Sequence, residues 1–118
     1  SQAIVVGNGA SELLLLLALA YVRSGDIVFT VEPTYGEYAR VVRLMGGRVH
    51  PWWAKAEDDF AVDVAVVAEA VHDLRPRVAF LCNPNNPTGQ YLSLQELRPL
   101  VEAAPQTLFV IDEAYLPF

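Results

Sequence analysis

The stretch Leu81–Gly89 reads Leu-Cys-Asn-Pro-Asn-Asn-Pro-Thr-Gly, and further along the chain Asp112–Tyr115 reads Asp-Glu-Ala-Tyr. The polar part of each stretch directly follows a short apolar run, Val78–Cys82 or Leu108–Ile111, whose length and composition are typical of a buried strand. In open parallel α/β sheets, ligands bind just beyond the carboxyl ends of the strands. We therefore expect the two loops to form one ligand site, which an earlier loop at Gly7–Ser11 completes.

The composition of the 118-residue chain predicts a globular protein with one hydrophobic core, because 53% of its residues are hydrophobic and 19% are charged. Its net charge of −6 argues against a nucleic-acid-binding surface. Cys82 is the only cysteine, so no internal disulfide can form and a reducing, cytoplasmic compartment is expected.

The most apolar segment, Leu13–Val22, has ten residues, which is half the length that a membrane span needs. It has neither the basic region nor the small-residue cleavage site of a signal peptide, so we expect no membrane association. The chain enters a predicted strand almost at its first residue, as if it were part of a larger protein.

Apolar runs and turn residues predict five strands, which alternate with four helices. The strands are expected at Ala3–Val6, Ile27–Val31, Arg48–Trp53, Val78–Cys82 and Leu108–Ile111. Helical connections between successive strands imply right-handed crossovers, so the fold class is α/β, with three α/β/α layers and a mostly parallel sheet. Pro51 lacks a backbone donor, which predicts that the third strand lies at a sheet edge.

The helices are predicted from their caps. The first is expected to run to about Arg23 and, because it is apolar on nearly all sides, to be buried. The second is expected from Tyr35 to Met45, with Thr34 as its cap. The third is expected from Asp63 to about Leu74, and the fourth to follow the capping-box spacing of Ser93 and Glu96. Pro99 lies inside this fourth helix and is expected to bend or shorten it.

The loop at Gly7–Ser11 lies between a strand and a helix, where free N–H groups attract an anion. Either a phosphate cradle or an ordinary glycine turn with Ser11 as a cap is consistent with these residues. Gly7, Gly9 and the later Glu32 also approach the dinucleotide-binding fingerprint. Glu12 stands where the third glycine of that fingerprint would allow close packing, which counts against a nucleotide-binding module.

Two further loops carry candidate ligand contacts. Tyr35, after the second strand, can either stack on a flat ligand ring or simply pack in the first turn of its helix, and Tyr38 is expected to pack. The rigid loop Asn83–Gly89 has more Asn and Pro than a turn requires, which favours a binding role. Its Asn86–Pro87 bond is a candidate for the cis form.

Asp112 follows four apolar residues, so its carboxylate needs a partner, either a ligand cation or a capping role. Tyr115 can point into the same space, whereas Glu113 is expected to face outward or to pair structurally. His50 and His72 receive no role, and the sequence shows no Cys/His cluster that would indicate a metal site.

Taken together, four motifs resemble those of the class I/II aminotransferases, which are fold-type-I pyridoxal-phosphate enzymes, and most of all the histidinol-phosphate aminotransferase branch. These motifs are Gly7–Glu12, Pro33–Tyr35, Asn83–Gly89 and Asp112–Tyr115. The resemblance spans essentially the whole chain and implies pyridoxal 5'-phosphate as the cofactor.

The resemblance also implies which residues contact that cofactor. The N–H groups of Ala10 and Ser11, with the Ser11 hydroxyl, would hold the phosphate, and Tyr35 would stack on the pyridine ring.

Around the ring, the resemblance implies that Asn86 and Tyr115 hydrogen-bond the phenolic oxygen. Asp112 would pair with the protonated ring nitrogen, which keeps the ring an electron sink.

The resemblance leaves some parts of the family pattern unmatched. Family members bind the cofactor aldehyde through a lysine that comes well after the Asp-Glu-Ala-Tyr motif, and the single lysine here, Lys55, matches no family position. Residues 1–118 are therefore expected to be part of the pyridoxal-phosphate-binding large domain, without a catalytic residue of their own. In that fold the first strand lies beside later strands of the domain, so Ala3–Val6 is expected to lack a neighbour unless the order rearranges or another chain supplies one.

The expected function is transamination of an amino acid or an amino-acid phosphate by the parent protein, a homodimer, while the 118 residues alone are inactive. Three alternatives remain: a related threonine-phosphate decarboxylase, a non-catalytic nucleotide-binding module and an inert structural fragment.

Overall fold

The computed structural model describes residues 4–7, 11–85 and 87–113, with the backbone alone described for residues 4–7, 11 and 12. The strands are β1 (Ile4–Gly7), β2 (Ile27–Glu32), β3 (Arg48–Trp53), β4 (Val78–Cys82) and β5 (Leu108–Asp112). The α-helices are α1 (Ser11–Tyr21), α2 (Glu37–Leu44), α3 (Val64–Leu74) and α4 (Leu94–Ala103), and a 3₁₀ turn lies at Ala56–Asp58. The predicted alternation of strands and helices is confirmed.

Within the described residues the strands form one five-stranded sheet in the order β1-β5-β4-β2-β3, and every pairing is parallel. The prediction from Pro51 is confirmed, because β3 lies at the edge, where Pro51 is in register with Thr30 of β2. Because the strands are parallel, their carboxyl ends all lie at the same end of the sheet.

Strand β1 has a neighbour, β5, with Gly7 in register with Asp112. This order differs from the one that the resemblance implies, in which the first strand lies beside later strands of the domain. Of the expected strand Ala3–Val6, Ala3 is outside the described residues.

Two apolar clusters, one on each face of the sheet, confirm the three-layer architecture. On one face α1 and α2 pack on the sheet through residues that include Leu14, Ala18 and Val41. On the other face α3 and α4 pack through residues that include Val67 and Leu100.

The expectation that α1 is buried on all sides is wrong. Leu14 and Ala18 face the sheet and are buried, but the side chains of Leu16 and Leu19 are 54% and 57% exposed. A helix in an outer layer covers the sheet with one face only, whatever residues it carries on the other.

The predicted start of α2 is also wrong. The helix begins at Glu37 with Gly36 as its N-cap and no side-chain cap, so Thr34 does not cap it. The Thr34 hydroxyl instead contacts Asn85 in a distant loop, a tertiary partner that a local capping rule cannot anticipate.

The predicted caps of α3 and α4 are confirmed. Asp63 accepts a hydrogen bond from the Val66 N–H, and Ser93 and Glu96 form a reciprocal capping box. Pro99 lies inside α4, which continues to Ala103. In the described part of the chain no helix has the length and apolar character needed to cross a membrane.

Candidate functional site

Asp112 is the last residue of strand β5, which lies between β1 and β4, and Asp112 is only 2% exposed. It is in register with Cys82, the last residue of β4, and with Gly7, the last residue of β1. The strand ends that were predicted to form one site therefore lie side by side. A buried carboxylate at this position requires polar partners.

One partner of that carboxylate is Tyr38, whose hydroxyl donates a 2.8 Å hydrogen bond to Oδ2 of Asp112. The Tyr38 ring is completely buried and stacks on Phe80, with 5.0 Å between the ring centroids. Burial, followed by contacts with Cys82 and Asp112, raises the pKa of Tyr38 far above its ordinary value. The hydroxyl therefore remains protonated and acts as a donor to the carboxylate.

Sequence reasoning missed this role, since it expected Tyr38 only to pack. The missed signal was a tyrosine on the apolar face of α2, because a tyrosine hydroxyl that becomes buried usually finds a hydrogen-bond partner.

Tyr35 and Asp112 are brought together by their shared neighbour Tyr38. The rings of Tyr35 and Tyr38 meet edge to face, with centroids 5.6 Å apart, and Tyr35 is partly buried. The packing contact considered for Tyr35 is thus present, and stacking on a ligand ring remains a prediction.

The loop 83–92 is closed by the side chain of Asn83, which is buried. Its amide donates to the carbonyl of Leu92 at 2.8 Å, and its oxygen accepts from the Leu92 N–H at 2.7 Å. The Asn83 N–H also donates to the carbonyl of Asp112 at 2.8 Å. The first two hydrogen bonds close the loop on itself, and the third attaches the Asn-Pro-rich loop to the end of β5.

Asn85 joins the same loop to the loop that carries Tyr35. Its side chain accepts a hydrogen bond from the Thr34 hydroxyl at 2.6 Å and donates to the Pro33 carbonyl at 2.7 Å. It also donates to the Thr88 hydroxyl at 2.8 Å. The loops after β2 and β4 are therefore fixed relative to each other by one amide group.

The structure contains cis peptide bonds at Glu32–Pro33 and Asn83–Pro84. The cis form suggested for Asn86–Pro87 remains a prediction, because Asn86 is outside the described residues.

Three further predicted site residues, Ala10, Asn86 and Tyr115, also lie outside the described part of the chain. Ser11 is the first residue of α1, so the helix begins where the phosphate cradle was predicted. Of the six predicted contacts, Tyr35 and Asp112 are the two whose side chains the structure describes.

Glu32, which the dinucleotide-binding alternative would assign to a ribose, is engaged within its own segment. One carboxylate oxygen accepts from the Thr30 hydroxyl at 2.8 Å and the other from the Thr34 N–H at 3.2 Å. This local pairing does not favour a role for Glu32 in binding a nucleotide.

The other titratable residues considered from the sequence are His50, His72 and Glu113. His50 is exposed on β3 and stacks on Phe29, and His72 is exposed on α3 with Nδ1 3.0 Å from the Ala103 carbonyl oxygen. Glu113 is partly buried, so it does not face fully outward, and the alternative that it pairs structurally stays a prediction. Among the described residues, no three or more His, Cys, Asp or Glu residues are grouped so that they could hold a metal ion.

A cavity of about 800 Å³ lies at the opposite end of the strands, near the amino ends of β2, β4 and β5. Its lining includes Asp26, Arg77 and Thr107. Arg77 donates to the Tyr21 carbonyl at 3.0 Å, and the Thr107 hydroxyl donates to the Pro76 carbonyl at 2.7 Å. These groups hold loops together, so size alone does not make this cavity the functional site.

Curated relatives align with nearly the whole chain. Histidinol-phosphate aminotransferase 2 of Carboxydothermus hydrogenoformans is 38% identical over 116 residues, which is 98% of this chain and 31% of the relative. The histidinol-phosphate aminotransferase of Symbiobacterium thermophilum is 39% identical over 115 residues, 97% of this chain and 31% of the relative. The chain thus spans about a third of the length of these relatives.

A solved structure with the same fold is histidinol-phosphate aminotransferase from Sinorhizobium meliloti in complex with pyridoxal-5'-phosphate. The match has a TM-score of 0.79 at 30% identity and covers 92% of this chain and 29% of that one. The family model "Aminotransferase class I and II" matches residues 1–118. The chain, with its Asn-Pro-rich loop held against the end of β5, therefore belongs to the class I and II aminotransferase family.

Proposed function

We propose that this chain is part of the cofactor-binding large domain of a longer, pyridoxal-phosphate-dependent aminotransferase. The observation that supports this most directly is the buried Asp112 carboxylate at the carboxyl end of β5, linked through Tyr38 to Tyr35. Membership of the aminotransferase family supports the same proposal. Membership of this family does not favour the dinucleotide-binding alternative. The aminotransferase names of the relatives do not favour the decarboxylase alternative.

The groups present fit pyridoxal phosphate in their chemistry. A carboxylate that is shielded from water is suited to hold a proton on the ring nitrogen, since opposite charges interact strongly there. Tyr35, partly buried beside Tyr38, offers an aromatic surface for a flat ring. Helix α1 begins at Ser11, and the N–H groups at the start of a helix attract a phosphate.

In the proposed site, Ala10 and Ser11 bind the phosphate, Tyr35 packs on the ring, and Asn86 and Tyr115 donate hydrogen bonds to the phenolic oxygen. When bound, pyridoxal phosphate supplies an electron-withdrawing ring that stabilises negative charge at the α-carbon of the substrate.

Asp112 keeps the proton on the ring nitrogen, and the surrounding core excludes water from that pair. The lysine that binds the cofactor aldehyde is proposed to lie in the remainder of the longer protein. We expect no transaminase activity from the 118 residues alone.

For the substrate we propose an amino acid or an amino-acid phosphate, with histidinol phosphate as the first compound to test. The names of relatives that are 35–38% identical support this choice. We further propose that the longer protein is cytoplasmic and a homodimer. Sedimentation of the full-length protein tests the homodimer, and fractionation of the cells that contain it tests the location.

The proposal is tested in the full-length protein that contains this chain. Adding pyridoxal phosphate to the cofactor-free protein should produce the visible absorbance of the bound cofactor, and histidinol phosphate with 2-oxoglutarate should give turnover. Asp112→Asn should reduce kcat by orders of magnitude while the circular dichroism spectrum is unchanged. The matched control is Asp73→Asn on the exposed surface of α3, which should retain full activity. Unchanged turnover in the Asp112 variant would contradict the assignment of Asp112 to the ring nitrogen.

A further inference from the structure

The hydrogen bond between Tyr38 and Asp112 connects residues 74 positions apart and lies in the interior of the protein. Asp112 is 2% exposed and Tyr38 is fully buried, so water does not compete for this contact. Hydrogen bonds to a charged group are among the strongest that a protein forms, and in a buried site their loss has a large effect.

The ring of Tyr38 is held from two sides. It stacks on Phe80 of the central strand β4, with 5° between the ring planes, and meets Tyr35 edge to face at 88°. Its neighbours Val41 and Val42 on α2 are also fully buried, which fixes the helix against the sheet. The hydroxyl is therefore presented to Asp112 by a rigid support.

We propose that Tyr38 is a positioning residue for the Asp112 carboxylate, holding Oδ2 so that the carboxylate has one orientation toward the cofactor ring. This inference rests on the proposed function, because it assigns to Tyr38 an effect on the same site. Tyr38 acts through Asp112 and does not itself contact the cofactor.

The hydroxyl affects the carboxylate in two ways. It fixes the rotation of the side chain, so that no orientation has to be selected when the cofactor binds. It also stabilises the negative charge of Asp112 within the core, where an unsatisfied carboxylate oxygen is costly. A phenylalanine at this position would fill the same space and provide neither effect.

The test uses the full-length protein with Tyr38→Phe, Asp112→Asn and the double variant. The matched control is Tyr91→Phe, because Tyr91 is 54% exposed and outside the proposed site. Three quantities are measured: the Kd for pyridoxal phosphate, the visible absorbance spectrum of the bound cofactor, and kcat and KM for the amino substrate.

Tyr38→Phe should raise the Kd for pyridoxal phosphate by about tenfold or more, as expected for loss of a hydrogen bond to a charged group. It should also shift the absorbance spectrum and lower kcat, with little change in the substrate KM. In the D112N background the same change should alter the Kd by less than about twofold, because the two residues act as one unit. Tyr91→Phe should match the wild type in every measurement.

Three results would overturn the inference. The first is a wild-type Kd and absorbance spectrum for Tyr38→Phe while Asp112→Asn is impaired. The second is a double variant in which the effects of the two changes on the Kd simply add, and the third is a Tyr38→Phe variant whose lower kcat comes with an equally altered KM. If Asp112→Asn itself is unimpaired, the proposed function fails instead. If Tyr38→Phe does not fold, 3,5-difluorotyrosine at position 38 replaces it, since this residue keeps the shape of tyrosine and changes the donor strength of the hydroxyl. An unchanged absorbance spectrum in that variant would also overturn the inference.

Discussion

The hydroxyl of Thr34 donates a 2.6 Å hydrogen bond to Oδ1 of Asn85, which lies 51 residues later in the chain. The same Asn85 side chain donates to the Pro33 carbonyl, so it contacts both a side chain and the backbone of the loop before α2. This pair of contacts holds Tyr35 at a fixed distance from the Asn-Pro-rich loop. The arrangement of the proposed ring-binding face thus depends on a residue that need not touch the ring.

Asn85→Ala should therefore weaken cofactor binding by loosening the two loops. We expect the Kd for pyridoxal phosphate in the full-length protein to rise by about tenfold, equivalent to the loss of one or two net hydrogen bonds. Thr34→Val, which removes one of these hydrogen bonds with little change in shape, should have a smaller effect. The control is Gln95→Ala on the exposed side of α4. If Asn85→Ala binds the cofactor as tightly as this control does, the two loops do not depend on Asn85.

Gly47→Ala should destabilise the protein because there is no space for the added methyl group. A Cβ at this position would lie 2.8 Å from Cγ1 of Val22 and 2.9 Å from Cγ1 of Val42. Both valines are buried in the core between α1, α2 and the sheet, so we expect a loss of about 1–3 kcal/mol in the free energy of unfolding, measured with urea.

The control for that substitution is Gly36→Ala. A Cβ there would meet no atom within 4 Å among the described residues, and the backbone already has the helical φ of −66°. This variant should match the wild type or gain up to about 1 kcal/mol. Equal stabilities for the two variants would contradict the packing around Gly47.

The stability of the protein should fall at high pH partly because of Tyr38. Burial raises the pKa of this tyrosine far above its ordinary value of 10.0, so the folded state keeps a proton that the unfolded state releases. The resulting stabilisation is fully present below pH 10 and is lost progressively as the pH rises above it, by at most about 1.4 kcal/mol per pH unit.

Tyr38→Phe removes this contribution. The free energy of unfolding of the variant should therefore decline less steeply than that of the wild type between about pH 9 and pH 11, one unit either side of the ordinary tyrosine pKa. Urea unfolding at several pH values measures the slope. Tyr91→Phe should keep the steeper slope of the wild type. Parallel curves for Tyr38→Phe and Tyr91→Phe would show that Tyr38 ionises equally easily in the folded and unfolded states.

The strands and layers could be predicted because their determinants are local. The apolar runs that became β4 and β5 have the length of strands, and Asp63 and Ser93 cap helices through residues within one turn. Pro51 indicated the sheet edge for a similarly local reason, its missing N–H.

Other features were not predictable because they depend on distant parts of the chain. Thr34 has the chemistry of a helix cap, but its hydroxyl pairs with Asn85. Leu16 and Leu19 have the character of core residues, yet they lie on the outer side of α1. For Tyr38, the sequence indicated burial, and the partner of its hydroxyl became clear once β5 placed Asp112 beside α2. The roles of Ala10, Ser11, Tyr35, Asn86, Asp112 and Tyr115 toward the cofactor remain predictions.

Pro51 also has a consequence for how copies of this protein meet in solution. An edge strand offers unpaired backbone groups to which a strand of another molecule can add, and this is a common route to aggregation. On β3 the proline removes one donor from that row, and the exposed residues Arg48 and His50 flank it with polar groups. Replacing Pro51 with valine would restore a continuous row of backbone donors along β3. The proline of the edge strand therefore also reduces strand pairing between molecules.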